Sequence, residues 1–244
     1  MKKLLLLFFL GLALSCSSTK PAGKVNPLPL KILVFYKTSG YYHTSIPAGL
    51  AAIQKLGVEN AFSVDTTKNA AYFQADSLRN YQAVVFLSTT EDVLNLEQQA
   101  AFEKYIRAGN GFMGIHAATD TEYDWPWYNQ LVGAYFESHP QIQTATVQVT
   151  DKTHPATHFL PDQWVRRDEW YNFKNLAPGL KVLANLDETS YKGGKNGANH
   201  PIAWYHPFDG GRSFYTGGGH TNESFQEPLF LRHILQGILY AMGR

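Results

Sequence analysis

His116 ends the run Gly111-Phe112-Met113-Gly114-Ile115 and begins a small-residue stretch that leads through Ala117-Ala118-Thr119 to Asp120. The run reads as a buried strand. A tight turn directly after such a strand displays one side chain into the crevice where open α/β sheets collect ligands. Elbows of this kind carry a Ser or Cys nucleophile in hydrolases and amidotransferases. An imidazole there suits general acid/base work, proton shuttling or metal ligation instead. Two further histidines hold comparable places: His43 in the loop after Lys31–Tyr36, and His220 beyond Arg212–Thr216 and Gly217-Gly218-Gly219. Thr89 and Glu91 follow the apolar run Ala83–Leu87. Loops on one edge of a rigid sheet converge although their residues are far apart in sequence. His116, His43, His220 and Asp120 are therefore candidate catalytic groups, and Thr89 and Glu91 candidate substrate contacts. Gly218 and Gly219 join the latter, because glycine lets backbone approach a ligand with its amides facing it.

Asp168-Glu169-Trp170-Tyr171 is a second cluster with chemical content. Carboxylates accept hydrogen bonds from hydroxyls while aromatic rings pack on the apolar faces of a sugar, so the combination suits carbohydrate recognition. Neighbours on a strand point to opposite faces. Only one carboxylate is expected to enter the cleft; Glu169 is the candidate catalytic group, and Asp168 is a candidate substrate contact or a partner for Arg166 or Arg167. Trp170 is a candidate sugar contact. Trp125, Trp127, Trp204 and Tyr205 read more readily as core, with Trp204 kept among the candidate contacts. His139, His154 and His158 read as turn and loop residues. Imidazoles with carboxylates are suitable ligands for zinc or another divalent ion. There is no His-x-x-x-His on a helix and no compact ligand spacing, so the metal question stays open.

The elements that must position these residues alternate strand and helix. Lys31–Tyr36, Ala61–Asp65, Ala83–Leu87 and Phe112–Ile115 predict strands, with helices beginning near Pro47 and running over Leu96–Ala108. This alternation predicts a doubly wound, mostly parallel sheet in a three-layer α/β fold. Beyond Asp120 the pattern loosens. Trp125–Val132 reads as a short helix, Thr144–Val149, Leu180–Leu186, Ile202–Tyr205 and Arg212–Thr216 as strands, and Pro228–Met242 as a closing helix. Residues 31–244 form one domain on this reading, with an irregular aromatic-rich insertion between residues 121 and 200.

The amino-terminal end reads as an address. Lys2 and Lys3 precede the apolar run Leu4–Leu14, which is too short to span a bilayer of about 30 Å. Cys16, the only cysteine, follows Leu12-Ala13-Leu14-Ser15 and resembles the lipidation site of a bacterial lipoprotein. Residues 1–16 are then a signal peptide and 17–30 a flexible tether rich in Ser, Lys and Pro. The expected product is exported and lipid-anchored in the cell envelope, facing the periplasm. Without Lys2 and Lys3 the formal charge of +1 becomes −1. No basic stripe favours nucleic acid. The absence of further cysteines excludes a disulfide framework, a thiolate metal site and a cysteine nucleophile. The oligomeric state, homo-oligomer included, stays open.

Taken together, these motifs resemble the ThuA-like (trehalose-utilisation) family. The resemblance is carried by Ile32-Leu33-Val34-Phe35 with His43, by Gly111 to Asp120, by Asp168-Glu169-Trp170-Tyr171, by Pro201-Ile202-Ala203-Trp204-Tyr205-His206, and by Gly210 to Thr216 with Gly219-His220-Thr221. It covers residues 31–244. It departs from the family at Tyr41-Tyr42, where an Arg or Phe usually adjoins the histidine, and at Trp170, where an aliphatic residue is usual. The resemblance implies a flavodoxin-like fold of the class I glutamine amidotransferase type. It also implies a role in carbohydrate catabolism on a sugar or a disaccharide-derived 3-keto-sugar, glycosyl-hydrolase-like in some members. Acid/base chemistry at His116 would then drive isomerisation, elimination or hydrolysis. A non-catalytic carbohydrate-binding or scaffold module is the alternative, and a glutaminase is ruled out by the missing thiol.

Overall fold

The computed structural model describes residues 30–244. The expected signal segment, Cys16 and all of the tether but residue 30 lie outside the described residues. In chain order the elements are β1 (Lys31–Phe35), α1 (Ile46–Glu59), β2 (Ser63–Thr67), α2 (Ala75–Leu78), β3 (Ala83–Leu87), α3 (Leu96–Arg107), β4 (Gly111–Ile115) and α4 (Pro126–Val132). Then follow β5 (Tyr135–Ser138), β6 (Gln143–Val149), β7 (Gln163–Asp168), β8 (Asn172–Lys174), β9 (Lys181–Asp187), β10 (His200–Phe208), β11 (Gly211–Thr216) and α5 (Pro228–Ala241).

Nine strands form one sheet in the order β2-β1-β3-β4-β11-β10-β9-β6-β7, and β5 pairs with β8 apart from it. The five strands from β2 to β11 run parallel. Strands β3 and β4, with sequences AVVFL and GFMGI, are buried at every position. Continuous apolar runs are what a parallel strand covered on both faces requires. The two faces can be told apart at β4. Phe112 meets Phe102 of α3 and Tyr128 of α4. Its neighbour Met113 meets Gly237 of α5 on the other side. The result is the three-layer α/β fold expected from the strand-helix alternation. Gly111 permits the close seat of α5: a Cβ there would lie 1.8 Å from the Ala241 carbonyl oxygen. Helix α3 starts on a reciprocal capping box between Asn95 and Gln98, which satisfies amides that the first helical turn leaves free.

The segment expected to be an irregular insertion is instead the antiparallel half of the sheet. β10, β9, β6 and β7 pair antiparallel in succession. Strand β7 escaped the sequence reading because its inward positions are Trp164, Arg166 and Asp168, two of them charged. The β7 side chains reach back to α5. Arg166 lies over the Phe230 ring and bonds Glu227, and Trp164 donates to the same carboxylate. The antiparallel half therefore curls until the end of β7 stands beside the loop after β11.

Candidate active site

The elbow at the end of β4 is formed as the sequence suggests, with a strained backbone. His116 has φ of +51°, a left-handed conformation uncommon for residues other than glycine. It is pinned from behind: the Tyr215 hydroxyl donates to the His116 carbonyl at 2.8 Å. A short 3-10 turn over His116–Thr119 continues the chain. The His116 ring is fully buried, and Nδ1 faces the Gly217 carbonyl oxygen at 3.0 Å. A carbonyl only accepts, so this nitrogen carries the proton. In the neutral ring Nε2 is then a bare lone pair.

That lone pair points at an unusual company. His116 Nε2 lies 3.1 Å from His220 Nδ1 and 3.5 Å from Glu169 Oε2. His220 Nδ1 lies 3.0 Å from the same Glu169 oxygen. The His43 ring stands edge-on to both histidines, at 4.8 and 5.1 Å between ring centres. One donor atom from each of His43, His116, Glu169 and His220 falls within 4.8 Å of the other three. His43 Nδ1 is buried and has no hydrogen-bond partner among the described residues. Burial, reinforced by the neighbouring His116 and His220, holds the His43 pKa far below the ordinary histidine value. Burial alone would raise Glu169. The hydrogen bonds and positive charge of His116 and His220 outweigh it and hold the carboxyl well below the usual range.

Adjacent carboxylates do opposite jobs. Asp168, at the end of β7, is fully buried and turned toward the β11 loop. It accepts from the Gly219 amide at 2.8 Å, the His220 amide at 3.0 Å and the Ser224 hydroxyl at 2.8 Å, with Arg166 at 3.4 Å. These bonds fix the loop that carries His220. Glu169 turns the other way, into the cluster, and its second oxygen lies 3.0 Å from His139 Nδ1.

A pocket of about 350 Å³ opens over the cluster, lined by Tyr41, His43, Asp120, Phe136, His139, Glu169, Tyr171 and His220. Three of the four clustered groups thus face it, with His116 one layer behind. Asp120 stands on the wall. Burial raises its pKa, partly offset by the hydrogen bond from the Tyr123 hydroxyl.

Several expected substrate contacts lie elsewhere. Thr89 is buried on Thr121, and Glu91 joins the Asp120 and Glu122 backbones, so both shape the Asp120 loop from beneath. Trp170 donates to the Gln143 carbonyl and Trp204 to the Val132 carbonyl; both are core. Asp168 holds the loop, as described. Gly218 is small because a Cβ would strike Arg166 Nη1 at 2.3 Å. The Gly219 amide is spent on Asp168, so the glycine run serves close packing and offers no amide to a ligand there. Conversely, Phe136 of β5 and His139 just after it enter the pocket. In the sequence His139 reads as a turn residue before Pro140, and Phe136 carries no signal of its own.

The sequence model of the ThuA family, described as trehalose utilisation, matches residues 31–241. Among solved structures, a ThuA-like protein from Bacteroides uniformis superposes with a TM-score of 0.75 at 23% identity, covering 91% of this chain and 95% of that one. A second, from Parabacteroides merdae, gives 0.73 at 21% identity, with 88% and 90% covered. A β-galactosidase from Bacillus circulans shares the fold at 0.56 and 12% identity, over 87% of this chain and 30% of that one. A search of curated proteins returns no match.

Proposed function

The chain belongs to the ThuA, trehalose-utilisation, family, and on that premise we propose that it is an enzyme acting on a sugar or disaccharide-derived 3-keto-sugar by acid/base chemistry. The observation that supports this reading is the convergence of Asp120, Glu169, His43 and His220 on one pocket floored by histidines and walled by Tyr41, Phe136 and Tyr171. Its volume, about 350 Å³, lies toward the small end of ligand pockets, which run from about 300 to 1,000 Å³, and suits a single sugar ring. The aromatic walls pack against the apolar faces of that ring. Asp120 is the group for proton transfer, because burial raises its affinity for a proton and it lies at the wall. His220 has Nδ1 engaged below, which leaves Nε2 to steady a substrate oxygen. His139 offers a second donor at the rim.

In this reading a proton next to the substrate carbonyl passes to Asp120, and the histidine floor stabilises the charge that develops on oxygen. Return of the proton at another carbon gives isomerisation, and loss of a neighbouring group gives elimination; hydrolysis would use the same groups on water. His116 acts through Glu169 and His220. Deuterium uptake from D2O into a 3-keto-disaccharide, followed by NMR, tests the assignment. Exchange or conversion that is lost in Asp120→Asn supports it. Binding without exchange or turnover would indicate a carbohydrate-binding module instead. The proposal includes export and lipid anchoring through Cys16; release of Cys16→Ser from the membrane fraction tests that part.

A further inference from the structure

We infer that His43, His116, Glu169 and His220 form a binding site for one first-row divalent cation, with room for a fifth ligand on the pocket side. Three observations carry this. First, the distances fit: His116 Nε2, His220 Nδ1 and Glu169 Oε2 form a triangle with edges of 3.1, 3.0 and 3.5 Å. Ligands at about 2.0–2.1 Å around a tetrahedral ion stand roughly 3.3 Å apart. Second, the proton count leaves the triangle short of donors. His116 has its Nδ1 hydrogen on the Gly217 carbonyl, so in the neutral ring its Nε2 lone pair and the Glu169 carboxylate compete for the single Nδ1 hydrogen of His220. A cation takes the lone pairs of both, and that of His220 Nδ1 once the His220 hydrogen sits on Nε2. Third, His43 brings one ring nitrogen within 4.8 Å of the triangle, and its Nδ1 is buried with no partner among the described residues, where burying an unpaired polar atom is costly.

The surroundings are those that ligands of a metal need. A ligating imidazole is usually oriented by its other nitrogen on a carbonyl or carboxylate. His116 has Gly217 in that place, and the free oxygen of Glu169 is held by His139. Asp168 fixes the backbone of His220. Three imidazoles and one carboxylate, without thiolate, suit Zn²⁺ or Mn²⁺. His43, Glu169 and His220 all border the pocket, so a substrate oxygen can reach the ion. The cation would supply the charge stabilisation assigned above to the histidine floor. In that respect alone the inference rests on the proposed function; cation binding itself does not.

The test uses the full chain, stripped with chelator and titrated with Zn²⁺, Mn²⁺ and Co²⁺ by calorimetry, with visible spectra for Co²⁺. One equivalent per chain is expected, with cobalt absorption in the d–d region. His43→Ala makes no loss of hydrogen bonds, so it should fold, as monitored by circular dichroism, and bind at least ~100-fold more weakly. Glu169→Gln should do the same, and His139→Ala should weaken binding by ~10-fold. Absence of stoichiometric binding, or unchanged affinity in folded His43→Ala and Glu169→Gln, overturns the inference. Turnover of a keto-sugar by metal-free protein would overturn the role of the ion while leaving the proposed function standing. Tight binding without turnover of any sugar leaves the metal site standing and removes the sugar chemistry.

Discussion

The two halves of the sheet contribute to the site in different ways. The parallel half, β2-β1-β3-β4-β11, supplies His43, His116 and His220 from loops at the strand ends. Its central strands β3 and β4 are buried at every position, and its loops are pinned to the interior through Tyr215, Gly217 and Ser45, whose hydroxyl donates to the Gly219 carbonyl. The antiparallel half supplies Glu169 from the end of β7, and the segments before and after it supply His139, Phe136 and Tyr171. The first half sets a rigid floor of nitrogen donors. The second brings the negative charge and most of the wall. A cation requires both, so the site exists only while the curl that brings β7 to the β11 loop is kept.

The joint between the halves is the place to break this arrangement. Asp168→Asn places an amide hydrogen where backbone N–H groups of Gly219 and His220 now donate, and it removes the charge facing Arg166. A loss of about 3–5 kcal/mol is expected on breaking such a buried pair, read as a lowered urea midpoint. Glu169→Gln, one residue on, should shift that midpoint much less while reducing turnover by about 10²–10⁴-fold, as for loss of an acid/base or charge-bearing group. Equal stability losses in the two variants would contradict the division of labour between them.

Within the parallel half, Gly111→Ala should cost about 3 kcal/mol, because the new methyl group would meet the Ala241 backbone and α5 must shift. The expected readout is a lowered midpoint in urea, with an altered near-ultraviolet spectrum. Acid tests the contact between the halves at His233, whose ring lies among Trp164 of β7, Phe214 of β11 and Phe230 of α5. Burial first, then Arg166 and His154, lower its pKa from 6.5 to about 4, against a hydrogen bond to Ala156 that raises it. A depressed folded pKa means that the unfolded chain takes the proton first. The stability is present above 6.5 and is lost as pH falls from 6.5 toward about 4. The loss attributable to His233 is on the order of 3 kcal/mol, and it should vanish from the difference curve of His233→Phe. The smallest effect is expected at the rim: Tyr41→Phe should change KM by about threefold or less with kcat retained, the size of a single exposed hydrogen bond of about 0.5 kcal/mol.

The same contrast explains what could be read from the chain. The apolar runs of β1, β3, β4 and β11 state their own strand character, and the residues immediately after them fall at the crevice by topology. His43, His116 and His220 were legible for that reason. For Asp168 and Glu169 alternation implies only that one of the two enters the cleft, and it does not say which. The wall was not legible. His139 and Phe136 depend on β5 pairing with β8 across a gap in sequence, a long-range register that no local pattern encodes. Trp170 and Trp204 misled because an aromatic looks the same in sequence whether its ring meets a sugar or the core. Their indole N–H groups, both bonded to core carbonyls, decide the matter in three dimensions. His116 came to the centre of the cluster but behind the pocket wall, because the left-handed turn at that residue sends the ring inward.

The donors of the cluster are spread from residue 43 to residue 220, over most of the chain's length. No short segment carries two neighbouring ligands, so an incomplete or unfolded chain presents no prearranged trap for a metal ion. Loading is thereby deferred until the last strand-end loop has docked. The ion that fills the site is the one available in the compartment where the chain finishes folding.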